Sequence, residues 1–315
     1  MKIHLIQPIL ILLFFCFPSA PGQEPFLAKD HRIVFLGDSN TYAAHFVNFI
    51  EAAVGTESAD LNLEILNLGL PSETCSGLSE PDHPFPRPNV HERLDRVLEK
   101  TKPNLVIAAY GMNDGMYYPQ SPERFAAYQK GILDLVKKVH NTGARLVLLT
   151  PPPFDPEPMR KTGKLLPESA PKFAWFSIYE NYDSVLADYT KWLNQLDDPR
   201  IDLIVDVRKP MLDYIAGRRQ KNPDYTMSGD GVHFNQEGHR VIANQLLEAW
   251  GVNPKTAVDP ELQKLVSQRQ ILLRDAWLTH CGHKRPMTKA GLPLQEAQAK
   301  AKELREKIKA IPASQ

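Results

Sequence analysis

Charge of either sign is not in excess: 37 Lys and Arg residues stand against 37 Asp and Glu residues. A nucleic-acid binder carries a basic surplus, so that partner class is excluded. No long run of like charges is present to hold a polyanion. Cysteine is scarce as well, with three residues in 315. Cys75 and Cys281 lie too far apart in sequence for spacing to decide whether they pair. His280, Cys281 and His283 stand close together, but their spacing matches no common zinc pattern and no second ligand pair accompanies them. No metal and no cofactor are expected. Long apolar runs are also missing. The uninterrupted run 9–17, which contains Cys16, falls short of the ~20 residues that a membrane-spanning helix needs.

That run has the form of a secretory leader. Lys2 precedes it, and Ser19, Ala20 and Gly22 follow. Cleavage after Gly22 puts small residues at −3 and −1, whereas cleavage after Ala20 leaves Pro21 beside the cut. Cys16 lacks the small residues that precede a lipidated cysteine. The expectation is a secreted or periplasmic protein with no stable membrane span after cleavage; the alternative is an uncleaved N-terminal anchor. Removing 1–22 takes away Lys2 and no acid, so 36 basic residues face 37 acidic ones, a net of −1.

What is present is an apolar content of 43%, enough for a sizeable core. Short β-branched and leucine-rich runs without polar alternation fall at 32–36, 63–68, 104–110, 145–150 and 201–207, the pattern of strands buried on both faces. Between and after them come helical spacings at 41–54, 91–100, 122–140, 179–196 and 236–250. Alternating strands and helices predict a three-layer α/β/α sandwich with a five-stranded parallel sheet. Such sheets carry their chemistry beyond the carboxyl ends of the strands. The segment 151–171 holds seven prolines and is expected to lie over that edge as a stiff surface loop. The division expected is a leader at 1–22, a main domain at 23–255 and a helical extension at 256–315. The last helical stripe (Leu294, Ala297, Ala301, Leu304, Ile308, Ile311) suits packing on the parent domain or a dimer seam. The oligomeric state stays open.

The first strand ends in Gly37-Asp38-Ser39-Asn40-Thr41, and a helix begins at once. Ser39 then sits on a strand-to-helix turn, its N–H at a helix N-terminus that favours negative charge. Taken alone, the string reads more readily as a helix cap. A phosphate-binding turn needs several glycines, and only Gly37 is there. The second strand ends at Asn67-Leu68-Gly69, where a glycine lets a substrate oxygen approach a backbone N–H. The third ends at Gly111-Met112-Asn113-Asp114, which offers a carboxamide. Asp230-Gly231-Val232-His233 places an acid three residues before a histidine; the acid can accept a hydrogen bond from Nδ1–H and leave Nε2 as a base.

These four blocks, in this order, resemble the SGNH hydrolases, the GDSL-type lipases and esterases. The matching region runs from about Arg32 to Trp250. The resemblance implies a flavodoxin-like fold and a carboxylic ester hydrolase that needs no cofactor. Ser39 would be the nucleophile, His233 the general base and acid, and Asp230 the group that orients His233. The Ser39 N–H, the Gly69 N–H and the Asn113 side-chain amide would form the oxyanion hole. Asn40 departs from the Leu or Ile that many members carry, a variation expected to leave the nucleophile untouched. The expected substrate is a small-molecule or carbohydrate ester, with acetyl on a sugar favoured. A lysophospholipase or thioesterase for longer chains, or a silent glycan-binding module, stands as the alternative.

Signals outside the blocks are weaker. Phe173, Trp175, Phe176 and Tyr179, followed by Glu180, Asn181 and Tyr182, suit a hydrophobic seat for the proline-rich loop better than a sugar platform. His83 and Arg87 emerge at the active edge and are candidates to line the pocket. Met112 and Met116 are expected to fill space beside Asn113.

Overall fold

The computed structural model describes residues 25–254 and 259–311; the leader expected at 1–22 lies outside them. The chain opens with β1 (Arg32–Gly37), a single turn α1 (Ser39–Tyr42) and α2 (His45–Glu57). It continues through β2 (Glu64–Asn67), α3 (Val90–Thr101), β3 (Leu105–Ala109), α4 (Pro122–His140) and β4 (Arg145–Leu149). An excursion then carries α5 (Glu157–Lys161) and two two-residue strands, β5 (Leu165–Leu166) and β6 (Ile178–Tyr179). The helix α6 (Tyr182–Asn194), the strand β7 (Leu203–Val205) and the helices α7 (Arg208–Arg219), α8 (Gln236–Ala249), α9 (Pro260–Cys281) and α10 (Leu294–Lys309) follow.

Five parallel strands form the sheet expected from the sequence, in the order β2-β1-β3-β4-β7. Their apolar runs are buried on both faces: Val34, Phe35, Val106, Ile107, Leu146 and Val147 are wholly inaccessible. The step from β1 to β2 runs opposite to the steps from β2 through β7. Right-handed crossovers therefore place α2 on one face and α3, α4 and α6 on the other. The chain changes direction beside β1, so the ends of β1 and β3 adjoin, with Gly37 in register with Ala109. Ligand sites in open α/β sheets form at such a switch point.

The departures from expectation are local. The helix foreseen at 41–54 breaks at Ala44, whose left-handed φ of 68° separates α1 from α2. The helix foreseen from 179 starts at Tyr182, because Tyr179 belongs to β6. The helix α7 was not foreseen; Pro210 and Gly217 interrupt its pattern. The proline-rich segment does not lie wholly at the surface, since Phe154, Asp155 and Met159 are buried.

The last two helices finish the sheet's outer edge. From α9, Gln270 donates Nε2–H to the Ile65 carbonyl at 3.0 Å, and from α10, Arg305 donates to the Leu63 carbonyl at 3.1 Å. Side chains thereby take the place of a sixth strand along β2 and satisfy carbonyls that an edge leaves open. Leu273, Trp277 and Leu278 join the main apolar core, and Ala297 and Ala301 of α10 are buried. Among the described residues no helix is long and apolar enough to cross a membrane.

One buried charge pair fixes the loop after β2. Arg93 of α3 grips both carboxylate oxygens of Glu73 at 2.7 Å, Tyr110 donates its hydroxyl to the same carboxylate at 2.7 Å, and Arg93 also reaches the Leu68 carbonyl at 2.7 Å. The side chains of Arg93 and Glu73 are 1% and 0% exposed, so removing one partner strands a charge in the interior. Arg93→Met is therefore expected to lower the free energy of unfolding by about 3–5 kcal/mol. Urea unfolding measures this, and an unchanged midpoint would show that the pair does not hold the loop.

Candidate active site

Ser39 is the first residue of α1, immediately past the end of β1. Asp38 caps the turn by accepting the Asn40 N–H at 2.9 Å. As an opening residue of the helix, Ser39 has an N–H with no carbonyl one turn back, so this donor points outward from a positive helix end. Burial pushes the Asp38 carboxyl up to about 6, against the opposing hydrogen bond from Asn40.

The histidine loop precedes α8. It is closed by a bridge between Ser228 and Phe234 and by the Asn235 N–H to the Met227 carbonyl at 2.7 Å. Gly231 turns it with φ +80°, and a Cβ there would stand 2.3 Å from the Asp155 carbonyl oxygen, so only glycine fits. Asp230 Oδ1 accepts the N–H groups of Val232 (2.9 Å) and His233 (2.8 Å) and the Ser228 hydroxyl (3.0 Å). Its Oδ2 faces His233 Nδ1 at 2.7 Å. With that proton on Nδ1, Nε2 is left to accept, and it lies 2.9 Å from Ser39 Oγ. Burial works to raise the Asp230 carboxyl, but hydrogen bonds from the His233 ring and backbone hold it well below the usual carboxylate range. The same contact with Asp230 raises the His233 imidazole above its ordinary value, against burial. One turn into α8, His239 is the opposite case: burial drives it down to about 3, and it stays neutral.

The loops after β2 and β3 complete the edge. Asn113 is buried; its Nδ2 donates to the Glu73 carbonyl at 3.2 Å, and its Oδ1 accepts the Tyr117 hydroxyl at 2.8 Å. These two bonds fix which way the amide faces and leave the second Nδ2 hydrogen available. Asp114 points the other way and accepts the Cys75 and Ser76 N–H groups at 2.8 and 2.7 Å, tying the β3 loop to the β2 loop. The Gly69 N–H is already donated to Asn67 Oδ1 at 2.9 Å. A Cβ at Gly69 would stand 2.4 Å from the Tyr42 nitrogen, so this glycine is required by close packing on α1.

Among the contributors, Tyr117 carried no signal in the sequence. Met116 and Tyr117 both adopt positive φ (57° and 64°), conformations that non-glycine residues hold at a cost of order 1–3 kcal/mol each. That kink delivers the Tyr117 hydroxyl to Asn113. Arg87 stacks 5.4 Å from the Tyr117 ring centroid and forms a bidentate pair with buried Glu80 at 2.5 and 2.7 Å. Asn40, which had the look of a bystander, is bonded to Val232 and Phe234 on either side of His233.

The remaining sequence candidates divide. His83 Nδ1 is bound to the Phe85 carbonyl at 2.5 Å. Met112 and Met116 are buried. Phe173 and Tyr179 are buried too, whereas Trp175 and Phe176 are 50% and 42% exposed. Cys75 and Cys281 are free and buried. Among the described residues no group of three or more His, Cys, Asp or Glu side chains is arranged to hold a metal.

The GDSL-like Lipase/Acylhydrolase family matches residues 35–241 of this sequence. Among solved structures, a gut microbial diltiazem-metabolizing enzyme is similar with a TM-score of 0.54 and 21% identity, over 73% of this chain and 48% of that one. This chain thus spans about half the length of that protein. An acetyl xylan esterase is similar with a TM-score of 0.51 and 18% identity, over 69% of this chain and 98% of the other. An acetylxylan esterase from Geobacillus stearothermophilus gives 0.48 and 17%, over 73% and 98%. No curated protein matches the sequence. The family match covers more than half of the chain, which accordingly belongs to the GDSL-like lipase/acylhydrolase family and is a carboxylic ester hydrolase.

Proposed function

We propose that the protein hydrolyses esters through Ser39, His233 and Asp230, with a short acyl group on a carbohydrate as substrate, and that it is exported. The observation that carries the reading is the 2.9 Å contact between Ser39 Oγ and His233 Nε2, backed by the 2.7 Å contact between His233 Nδ1 and Asp230. A serine hydroxyl is a weak nucleophile until an adjacent base takes its proton. In the reaction, Ser39 Oγ bonds to the ester carbonyl carbon while its proton passes to His233 Nε2. The oxyanion forms beside the Ser39 N–H and Asn113 Nδ2, with the Gly69 N–H shared between it and Asn67. His233 then hands its proton to the departing alcohol, leaving an acyl-serine. Water, deprotonated by His233, attacks that carbonyl, and the acid leaves as Oγ takes back the proton. Asp230 keeps the imidazole in the required tautomer and stabilises its cation.

Three features favour the short acyl group on a sugar. The acetyl xylan esterase has a similar fold. Trp175 and Phe176 present exposed rings on a loop bonded, through the Tyr179 N–H and the Tyr117 carbonyl, to the segment that orients Asn113. The leader form of 1–22 fits a polysaccharide met outside the cell.

Ser39→Ala is expected to abolish turnover with the fold intact, and the unaltered protein to be labelled by a fluorophosphonate probe at Ser39. Near-normal hydrolysis by the variant would remove Ser39 from the chemistry, and an unlabelled native protein would favour a silent binding module. Rates should be highest on acetyl esters and acetylated xylan in a panel running to palmitoyl esters; rates that climb with chain length would assign a lipid-type substrate instead.

The pH profile follows from the raised imidazole. Protonated His233 cannot accept the serine proton, so kcat/KM falls as pH drops through its pKa. Since Asp230 raises that pKa, the acid limb should have its midpoint above the 6.5 of an ordinary histidine. Asp230→Asn removes the anion and is expected to move the midpoint down while lowering kcat. A rate independent of pH across this range would exclude His233 as the base.

A further inference from the structure

We propose that Asn40 is a positioning residue: its carboxamide grips the backbone on both sides of His233 and so sets the distance between the imidazole and the serine. The proposal rests on the reading of His233 as the base. Asn40 Nδ2 donates to the Val232 carbonyl at 3.0 Å, and Asn40 Oδ1 accepts the Phe234 N–H at 3.2 Å. The two partners are of opposite kind, so one orientation of the amide satisfies both. The side chain is buried at 7% exposure, where losing either bond leaves a polar backbone group without water.

The geometry gives Asn40 a task that falls to none of the three triad side chains. Asp230 sits on the same loop as His233 and travels with it, so their contact fixes the ring within the loop but not the loop against Ser39. Packing seats the backbone on either side, since Val232 and Phe234 are buried in the main core, but leaves the His233 ring itself 56% exposed. The loop is also tied to Asp155, whose N–H meets the Gly231 carbonyl at 3.1 Å, but Asp155 follows β4 and is linked to the end of β1 only indirectly, across β3. Among the described residues, the side-chain hydrogen bonds from the turn 38–42 to the loop 226–235 are those of Ser39 and Asn40. Asn40 is itself anchored, since its N–H is held by the Asp38 carboxylate. Its grip therefore passes the position of the β1 end directly to the base.

The test is a double-mutant cycle on 4-nitrophenyl acetate. Asn40→Leu keeps the side-chain volume and removes both bonds; Asn40→Ala removes the same bonds without setting an apolar branch against Val232 and Phe234. Either variant serves if circular dichroism shows it folded. The expected result is a fall in kcat of about 10²-fold with KM little changed, the loss typical of a misplacement near 1 Å. The acid limb of the pH profile should keep its midpoint, because the pair of Asp230 and His233 stays intact within the loop. When His233 is already Ala, the same Asn40 substitution should cost almost nothing further. A wild-type kcat in both Asn40 variants overturns the proposal. So does an equal penalty in the presence and absence of His233, which would mark general damage. If His233→Ala alone keeps near-normal activity, it is the assignment of the base that fails.

Discussion

A hydrogen bond between two side chains 194 residues apart, Ser39 and His233, is the contact on which the proposed chemistry turns. Neither residue can find the other through local structure. What brings them together is the parallel sheet, which delivers every strand's carboxyl end to one edge. The change of direction beside β1 then opens a crevice there. The sequence from Gly37 to Asn40 matters because it starts at the centre of that edge, next to β3 and its Asn113.

The edge is held by charge as much as by apolar packing. Asp38 caps the serine turn, Asp114 draws in the β2 loop, and Glu73 is locked between Arg93 and Tyr110 while its own carbonyl holds Asn113. Each of these acids is buried, and each would be costly there without its donors. An interior built in this way has few alternative arrangements, because any shift of a loop leaves a carboxylate with a missing partner. Rigidity at the donors aimed at developing charge is what an oxyanion site requires, since donors already in place need no rearrangement when the substrate's charge appears.

The strands were legible in the sequence because burial on both faces removes polar alternation and leaves short apolar runs. The candidate site was legible because Ser39, Asn113, Asp230 and His233 each follow a strand or precede a helix and are chemically unusual at such places. The rest was hidden for identifiable reasons. Glu73 and Arg93 are charged, and one dimension gives no hint that residues of this type will be fully enclosed; their pairing depends on how α3 sits against the β2 loop. Tyr117 acts only through a left-handed kink that its side chain disfavours. Asn40 looked like a neutral replacement for an apolar residue, and its value emerged only when the histidine loop closed over it. The helix α7 was masked by Pro210 and Gly217, which tertiary contact overrides.

The cover on β2 has a bearing on how the chain is made. The carbonyl of Ile65 waits for Gln270, and that of Leu63 for Arg305, both encoded about two hundred residues or more downstream. At a synthesis rate of about 5–20 residues per second, the outer side of β2 emerges roughly 10–50 s before the side chains that will occupy it. During that interval the growing polypeptide displays a bare hydrogen-bonding strip of the kind that recruits a neighbouring strand. The C-terminal helices thus act on the ribosome's timetable as a late closure, and conditions that slow their arrival lengthen the window in which nascent copies can stick to one another.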